Sequence, residues 1–485
     1  MLTDQHNLIS RRDVLRQANI GFGSLALAAL LGEESTAAKA HHTARAKRMI
    51  FLFMKGGPSQ VDTFDPKPRL TRDHGKKLPI DRPRLLFHSV GEQNTTLMAS
   101  PWKFRQHGES GIPVSELFPH IATCVDDLCV IRSLHGTNPA HGGATLKMHT
   151  GSDTFIRPSM GSWISYGLGT ENRDLPTFIT LAPTAFHGGV NNYGSAFLPA
   201  IYQGTPIGRA GLPATQARIQ HITPQANTSQ QRKQLDLVRR LNQHHQQRDP
   251  HDTNLEARIR SFELAFRMQS AMPRLQDVGS ETRPTQQAYG LDNPTTQDFG
   301  YQCLLARRLI EQGVRLVQVT HQNGSGHWDQ HANLLERHPQ NAREVDQPIA
   351  ALLKDLKQRG LLDDTLVLWG GEFGRTPTIE DKGSPKKSGR DHNPDGFTMW
   401  LAGGGVQAGS IYGATDEFGY FATENKMHIH DLHATILHIL GLDHERLTYR
   451  FAGRDFRLTD VHGEVATGVL SKKRPGLIDS DRSRG

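Results

Sequence analysis

Short, almost continuously apolar runs alternate with helical patterns through most of this chain. Each run has the length of a strand and ends at glycine, histidine or other turn residues, which is typical of strands buried on both faces of a parallel sheet. Helical patterns at 115–125, 296–312, 344–359 and 432–440 separate several of the runs. The alternation predicts a doubly wound α/β/α sandwich whose ligands gather beyond the carboxyl ends of the strands. The predicted strands are 48–54, 128–134, 176–181, 314–320, 365–369 and 397–401.

The composition changes between about 205 and 293, where glutamine, arginine and proline become frequent. Apolar residues recur there at helical spacing, at Leu235, Val238 and Leu241 and again from Ile259. This pattern predicts a helical insertion at about 205–293 inside one domain that spans 41–470. Residues 471–485 are predicted to form a polar tail.

The first forty residues have the features of a twin-arginine export signal. Arg11 and Arg12 precede a weakly apolar run from Ala18 to Leu31, and small residues follow up to residue 40. A short membrane anchor is the alternative, but this run is shorter than the ~20 residues that a spanning helix needs. We therefore predict a signal peptide at 1–40 and export by the twin-arginine route to the periplasm or beyond the cell. No later stretch is apolar enough to span a membrane.

Charge and cysteine content exclude several classes of protein. The formal net charge is +7, which suits anionic substrates or envelope polymers, but the basic residues are scattered as on a solvated surface of mixed sign. No nucleic-acid-binding motif is present. Three cysteines, Cys124, Cys129 and Cys303, are too few for a disulfide framework. One bridge between Cys124 and Cys129 and buried free thiols are both open.

Histidine is unusually frequent, with 26 residues, several of them close together in sequence. Glycines 324 and 326 predict a loop at the end of the strand at 314–320. Residues two apart in an extended segment point to the same side, so His327, Asp329 and His331 can converge on one cation. Surface histidines on a flexible loop are the alternative.

Two further strand ends offer ligands. Glu372 lies among glycines just after the strand at 365–369, where the backbone can approach a ligand closely. A carboxylate there suits a metal, and Arg375 can hold an anionic group through two hydrogen bonds. A structural pair between Glu372 and Arg375 is the alternative. His392, just before the strand at 397–401, is the favoured ligand of a third loop.

Three motifs and the order of these elements resemble the exported sulfatase-like family known as domain of unknown function 1501, within the alkaline phosphatase and sulfatase superfamily. The motifs read GGPSQVDTFDPK from Gly56, WGGEFGRTP from Trp369 and GRDFRLTDVHG from Gly453. The resemblance implies an alkaline phosphatase-like α/β/α sandwich with one or two divalent metal ions: zinc, calcium, manganese or magnesium. It also implies a nucleophile that attacks phosphate or sulfate esters.

The resemblance implies roles for individual residues as well. The acid that usually ends the first strand of the superfamily is replaced by Lys55, so that Ser59, Asp62 or Asp65 would have to substitute as a metal ligand. The Asp-His pair of the superfamily becomes Glu372-Phe373, which removes one ligand. The residues that match metal-binding positions are Asp329, His331, Glu372 and His392.

The segment that resembles the sulfatase nucleophile helix offers His141 in place of serine or cysteine. His141 and Arg375 are therefore the catalytic candidates. His135, His141 and His149 are open as additional metal ligands, as a base or as a phosphoryl acceptor. Activation of water by the metal would otherwise replace the usual nucleophile.

The sequence thus predicts an exported, metal-dependent hydrolase of sulfate or phosphate esters, with sulfated or phosphorylated glycans as candidate substrates. The alternative is a non-catalytic binding or assembly protein on a degenerate hydrolase scaffold, which fits the departures at Lys55, Phe373 and His141. The resemblance further implies a cytochrome-like exported partner. The chain has no Cys-x-x-Cys-His motif and so carries no covalently attached haem of its own.

Overall fold

The structure is a computed structural model that describes residues 40–79, 95–217, 227–248, 253–322, 328–381, 383–384 and 386–472. The predicted signal peptide, apart from residue 40, lies outside the described residues. So do His327 and the predicted polar tail beyond residue 472. Among the described residues, no helix is long and apolar enough to cross a membrane.

A nine-stranded sheet forms the centre of the domain, in the order β12-β4-β11-β8-β1-β7-β5-β6, with β15 also paired to β4. In the described part of this sheet, β11 alone runs antiparallel to its neighbours, β4 and β8. The strands among the described residues are β1 (Arg48–Met54), β2 (Phe104–His107), β3 (Ile112–Ser115), β4 (Leu128–His135), β5 (Phe178–Leu181), β6 (Thr205–Ile207), β7 (Leu316–His321), β8 (Thr365–Gly370), β9 (Gly374–Arg375), β10 (His392–Asn393), β11 (Phe397–Ala402), β12 (Ser410–Tyr412), β13 (Ala414–Thr415), β14 (Ala422–Glu424), β15 (Met427–His428), β16 (Tyr449–Phe451) and β17 (Arg454–Phe456).

Helices cover both faces of the sheet. The described α-helices are α1 (Gln60–Thr63), α2 (Pro68–Arg72), α3 (His141–Thr150), α4 (Met160–Leu168), α5 (Thr228–Arg248), α6 (Thr253–Gln276), α7 (Arg283–Ala288), α8 (Gln297–Glu311), α9 (Leu334–Gln358) and α10 (Ile429–Ile439). Side chains of β1 alternate between two apolar cores, as expected of a strand buried on both faces. Leu52 packs into the core that contains α8 and α9, whereas Phe51 packs into the core that contains α4 and α10. The predicted three-layer α/β/α sandwich is confirmed.

All six strands expected from the apolar runs are present, with ends that shift by one or two residues. The helix expected at 115–125 is wrong. Strand β3 ends at Ser115 and a 3₁₀-helix follows only at Ile121–Asp127. Pro119 explains the difference, because a proline disfavours helical backbone in the residue before it. Helix α9 begins at Leu334, ten residues before its expected start. Pro339 lies inside this helix, at a position where the sequence did not predict helix.

Most of the described residues in the segment at 205–293 are helical. Helices α5, α6 and α7 lie within it. Its first residues, Thr205–Ile207, instead form β6, which pairs with β5 and extends the main sheet.

The three cysteines are buried free thiols, so the bridge between Cys124 and Cys129 does not form.

Candidate metal centre

Five strand ends bring the candidate residues to one edge of the sheet. Strands β1, β4, β7 and β8 run in the same direction, so their carboxyl ends lie at the same edge. Because β11 runs the other way, the loop that precedes it reaches this edge too. Residues that follow β1, β7 and β8 therefore meet residues that precede β11, as expected for the ligand site of an α/β sheet.

Short backbone pairings fix three loop segments against one another. His392 pairs with Arg375, while single bridges join Ala332 to Ser388 and residue 380 to residue 389. Gly389 permits this approach, since a Cβ atom at that position would lie 2.1 Å from the carbonyl oxygen of Gln330. The segments around 330, 378 and 390 thus form one small scaffold for polar side chains.

Three imidazole nitrogens converge on the carboxylate of Asp329. Its Oδ1 atom lies 3.1 Å from His331 Nε2 and 3.2 Å from His392 Nε2. These two nitrogens are 2.9 Å apart. The other oxygen, Oδ2, lies 3.1 Å from His141 Nε2. The structure therefore brings together Asp329, His331 and His392, which the sequence predicted as ligands, and adds His141 to them.

The opposite ring nitrogen of each histidine is held by an acceptor. His392 Nδ1 donates to the carbonyl oxygen of Pro139 at 2.6 Å, and His141 Nδ1 donates to Glu372 Oε1 at 2.7 Å. His331 Nδ1 donates to Glu380. With the proton on Nδ1, a neutral imidazole presents its lone pair at Nε2. In their neutral forms, all three rings can therefore direct a lone pair at the position beside Asp329.

Two overlapping groups of ligand atoms lie close enough together to share a divalent cation: His141, Asp329 and His392 form one, and His331, Asp391 and His392 form the other. In a tetrahedral site with bonds of about 2.0–2.1 Å, neighbouring ligand atoms are about 3.3 Å apart, close to the separations seen around Asp329. The buried Nε2 atom of His141 makes no hydrogen bond of good geometry with the described residues, although it lies 3.1 Å from Asp329 Oδ2, and this suits a ligand atom. Histidine ligands in metal sites commonly donate their second N–H to a carboxylate or backbone carbonyl, as all three do here. Imidazole nitrogens with one carboxylate suit zinc and similar transition metals better than calcium or magnesium.

Electrostatics keep the carboxylates of the cluster ionised. Burial opposes ionisation, but the charge of Arg375 and the neighbouring histidines hold the pKa of Asp329 far below its ordinary range. Burial likewise opposes the charge on Glu372, yet hydrogen bonds from His141 and Gly56 lower the pKa of Glu372 to about 2. Both groups are therefore carboxylates at neutral pH.

Adjacent histidines have opposite pKa shifts. Burial disfavours charge on His331, but its bonds to Asp329 and Glu380 raise the pKa of His331 to about 9. Burial lowers the pKa of His392 to about 4, and the nearby charges of Arg375, His141 and His331 lower it too, against the effect of its hydrogen bond to Asp329. His392 is thus already in the neutral form that a metal ligand requires.

Glu372 lies behind His141 rather than facing the other ligand atoms. Its two carboxylate oxygens accept from the backbone N–H of Gly56, at 3.1 and 3.0 Å. A side chain at position 56 would break this contact, because φ is +111° there and a Cβ atom would lie 2.5 Å from the backbone nitrogen of Asp329. Glu372 therefore orients His141, and it is not a member of either group of atoms close enough to share one ion.

Arg375 joins the strand-end loops and does not face open space. Its guanidinium is buried and donates to the carbonyl oxygens of Gly56, Gly57 and Arg390. A further bond reaches Asp329 Oδ1 at 2.6 Å. The expected role of holding an anion is therefore replaced in this geometry by positioning of Asp329. Nor does Arg375 form the alternative pair with Glu372.

Asp62 lies apart from the metal-site groups. Both of its oxygens accept from Arg390, at 2.7 and 3.1 Å, and the two side chains are fully buried. Ser59 also donates to Asp62 at 2.6 Å. In the structure Asp62 thus forms a buried ion pair, and its two oxygens accept three hydrogen bonds.

His141 and His149 occupy opposite ends of α3. His141 is the first residue of the helix, at the cluster. His149 is buried between β7 and the Phe51 and Phe53 rings, where it donates to the Thr145 carbonyl oxygen and accepts from Gln318 at 3.0 Å. It is therefore not a metal ligand in this structure.

The buried His149 predicts a pH dependence of stability. Burial lowers the pKa of His149 to about 4, below the value of about 6.5 in an unfolded chain. The contribution of His149 to the free energy of unfolding is therefore complete above about pH 6.5. It is lost as the pH falls toward 4, because only the unfolded state then binds the proton. We expect His149→Gln to remove about 2 kcal/mol of the difference in unfolding free energy between pH 7 and pH 5. Urea unfolding checks this, and an unchanged pH dependence would contradict it.

A cleft of about 220 Å³ opens beside the cluster. Lys55, Gly56, His141 and Asp329 line it together with Phe186 and His187. The ring of His187 stacks on His141, with centroids 5.0 Å apart. Neither His187 nor Glu380 is among the site residues predicted from the sequence. His187 could have been noticed because Gly188 and Gly189 follow it in a loop after β5, but Glu380 carries no local signal.

The fold and the cluster together define the class: an α/β/α sandwich with a histidine and carboxylate centre at the carboxyl ends of its strands. The model of the family described as "Protein of unknown function (DUF1501)" matches residues 46–470. The chain therefore belongs to this family. A comparison with curated proteins finds no match.

Among solved structures, similar chains include sulfatases and alkaline phosphatases. The PsFucS1 sulfatase from Pseudoalteromonas sp. is 11% identical, with a TM-score of 0.35, over 82% of this chain and 68% of that one. The lipoteichoic acid synthase LtaP from Listeria monocytogenes is 9% identical, with a TM-score of 0.36, over 87% and 78% of the chains. The alkaline phosphatase from the Antarctic bacterium TAB5 is 11% identical, with a TM-score of 0.34, over 81% and 98%.

Proposed function

We propose that this protein is a metal-dependent hydrolase of sulfate or phosphate esters. One observation carries the proposal: three imidazole Nε2 atoms surround the Asp329 carboxylate, and each ring is held from behind by an acceptor. The ligands are His141, His331, His392 and Asp329, and zinc is the metal that this donor set favours. A metal bound there would act as a Lewis acid on the ester and favour attack by water.

The chain's own residues prepare the site for this chemistry. Glu372 and Glu380 fix the rings of His141 and His331, and the carbonyl oxygen of Pro139 fixes His392. Arg375 holds Asp329 in place and balances its charge. The adjacent cleft gives an anionic ester access to the cluster, and sulfated or phosphorylated glycans are the substrates that we propose.

Metal analysis and an ester screen test the proposal. We expect the purified full chain to contain about one transition-metal ion, and to hydrolyse aryl sulfates or aryl phosphates with activity that a chelator removes and zinc restores. Metal that is bound without turnover of any ester would instead support a non-catalytic binding or assembly protein. A protein that binds no metal at all would contradict the site itself.

We also propose that the protein is exported by the twin-arginine route and works in the periplasm or outside the cell. The paired arginines near the start of the chain support this. A change of both Arg11 and Arg12 to lysine is expected to leave the protein in the cytoplasm, because such signals are read by a receptor. Cell fractionation measures the effect, and Arg16→Lys is the matched control. Export of the double variant at the normal level would refute the proposed route.

A further inference from the structure

Lys55 is a buried lysine whose charge has no direct partner. It follows β1 and is only 3% exposed, yet its ammonium group forms no hydrogen bond or ion pair with any residue that the structure describes. Burial lowers the pKa of Lys55, while the charges of Glu372 and Asp329 oppose that shift. Buried lysines are rare unless they are paired. Because Lys55 lines an open cleft, this cation can pair with an anion that enters the cleft.

The cleft places this cation beside the metal cluster. Lys55 lines it together with Asp329 and His141, two of the proposed ligands. A tetrahedral oxyanion in the cleft would therefore lie against Lys55 as well as against these two ligands. The ammonium group offers three N–H donors to such an anion, and charge-assisted hydrogen bonds of this kind are among the stronger ones.

An aromatic side chain stands at the rim of the same cleft. Phe186 lines the cleft and is 70% exposed. Its backbone is held on both sides, since the Thr184 hydroxyl accepts from Phe186 N–H and donates to its carbonyl oxygen, each at 3.1 Å. The next residue, His187, has a φ of +52°, a left-handed conformation that is uncommon outside glycine. The exposed ring is thus presented by a fixed and strained turn.

Resting on the proposed function, we infer that the cleft is a substrate subsite for the sulfate or phosphate ester of a ring-bearing alcohol such as a sugar. Lys55 contacts the anionic group, and Phe186 stacks on the ring of the alcohol. Aromatic faces commonly pack against rings in this way. The subsite would separate ring esters from small alkyl esters before any chemistry takes place.

Anion binding tests the Lys55 half. Inorganic phosphate and inorganic sulfate are titrated by calorimetry into the metal-loaded full chain. We expect Lys55→Met to lower the affinity for the anion by about tenfold or more. Lys103→Met, which removes an exposed lysine, should bind like the wild type. Metal content measured in parallel shows that the cluster of each variant is intact. Equal affinity in the Lys55 variant, or no anion binding in the wild type, would overturn the assignment.

Ligand preference tests the Phe186 half. Wild-type protein should bind phenyl phosphate several-fold more tightly than methyl phosphate, and Phe186→Ala should remove that preference while leaving the affinity for inorganic phosphate unchanged. Phe155→Ala is the matched control, because Phe155 is 66% exposed and does not line the cleft. A preference that survives in Phe186→Ala would refute the ring contact.

These binding results separate the subsite from the hydrolase proposal. If anion binding depends on Lys55 but no ester is hydrolysed, the subsite is supported and the hydrolase proposal is contradicted. If an ester is hydrolysed but anion binding does not depend on Lys55, the hydrolase proposal is supported and the subsite is contradicted.

Discussion

Replacement of His392 by alanine is expected to lower the affinity for the metal by more than about 100-fold and to abolish ester hydrolysis. His392 Nε2 lies within 3.2 Å of both Asp329 and His331, so its loss removes one ligand from the centre of the cluster. Changes to residues that only support a ligand typically cost 10–100-fold in metal affinity. Removal of the ligand itself should exceed that range. Competition with a chromophoric chelator measures the affinity.

Two variants calibrate this experiment. Glu380→Gln alters the acceptor behind His331 and is expected to fall in the 10–100-fold range. His120→Ala removes an exposed histidine outside the cluster and should leave metal affinity unchanged. If Glu380→Gln lowered the metal affinity as much as His392→Ala does, His392 would not be a ligand. Wild-type affinity in His392→Ala would have the same meaning.

Loss of Arg390 is expected to destabilise the fold by about 3–5 kcal/mol, because it leaves the carboxylate of Asp62 buried without a cation. Both side chains are fully buried and are joined by two hydrogen bonds. Arg390 also donates to the carbonyl oxygen of Met98 at 3.0 Å. Arg390→Met removes all of these contacts while it keeps the apolar volume. Urea unfolding at pH 7 gives the loss.

A double variant separates the charge from the packing. Arg390→Met combined with Asp62→Asn should recover part of the loss, since no uncompensated charge is then buried. The single variant should also become relatively more stable as the pH falls, because burial without Arg390 would raise the pKa of Asp62 above its unfolded value and favour the protonated form. Arg450→Met, at an exposed ion pair with Asp455, should cost less than about 1 kcal/mol. A similarly small effect for Arg390→Met would contradict the buried pair.

The sequence singled out most of the residues at the candidate centre but not how each side chain is used. Asp329, His331 and His392 were predicted as ligands, and their side chains do meet. Glu372 was expected to bind the metal directly, yet it accepts from Gly56 and supports His141. Local sequence shows that a carboxylate follows a strand. It does not show whether the oxygens point to an ion or to a neighbouring loop.

What the sequence determined by itself is the α/β/α layering and the edge at which chemistry gathers. Apolar runs of strand length require burial on both faces, and polar residues can follow them only at the strand ends. The tertiary structure alone decided which ends meet. It placed β1 between β7 and β8, brought His141 of α3 to Asp329, and gave Asp62 to Arg390. Those choices depend on strand order and on contacts between residues hundreds of positions apart, for which periodicity along the chain carries no signal.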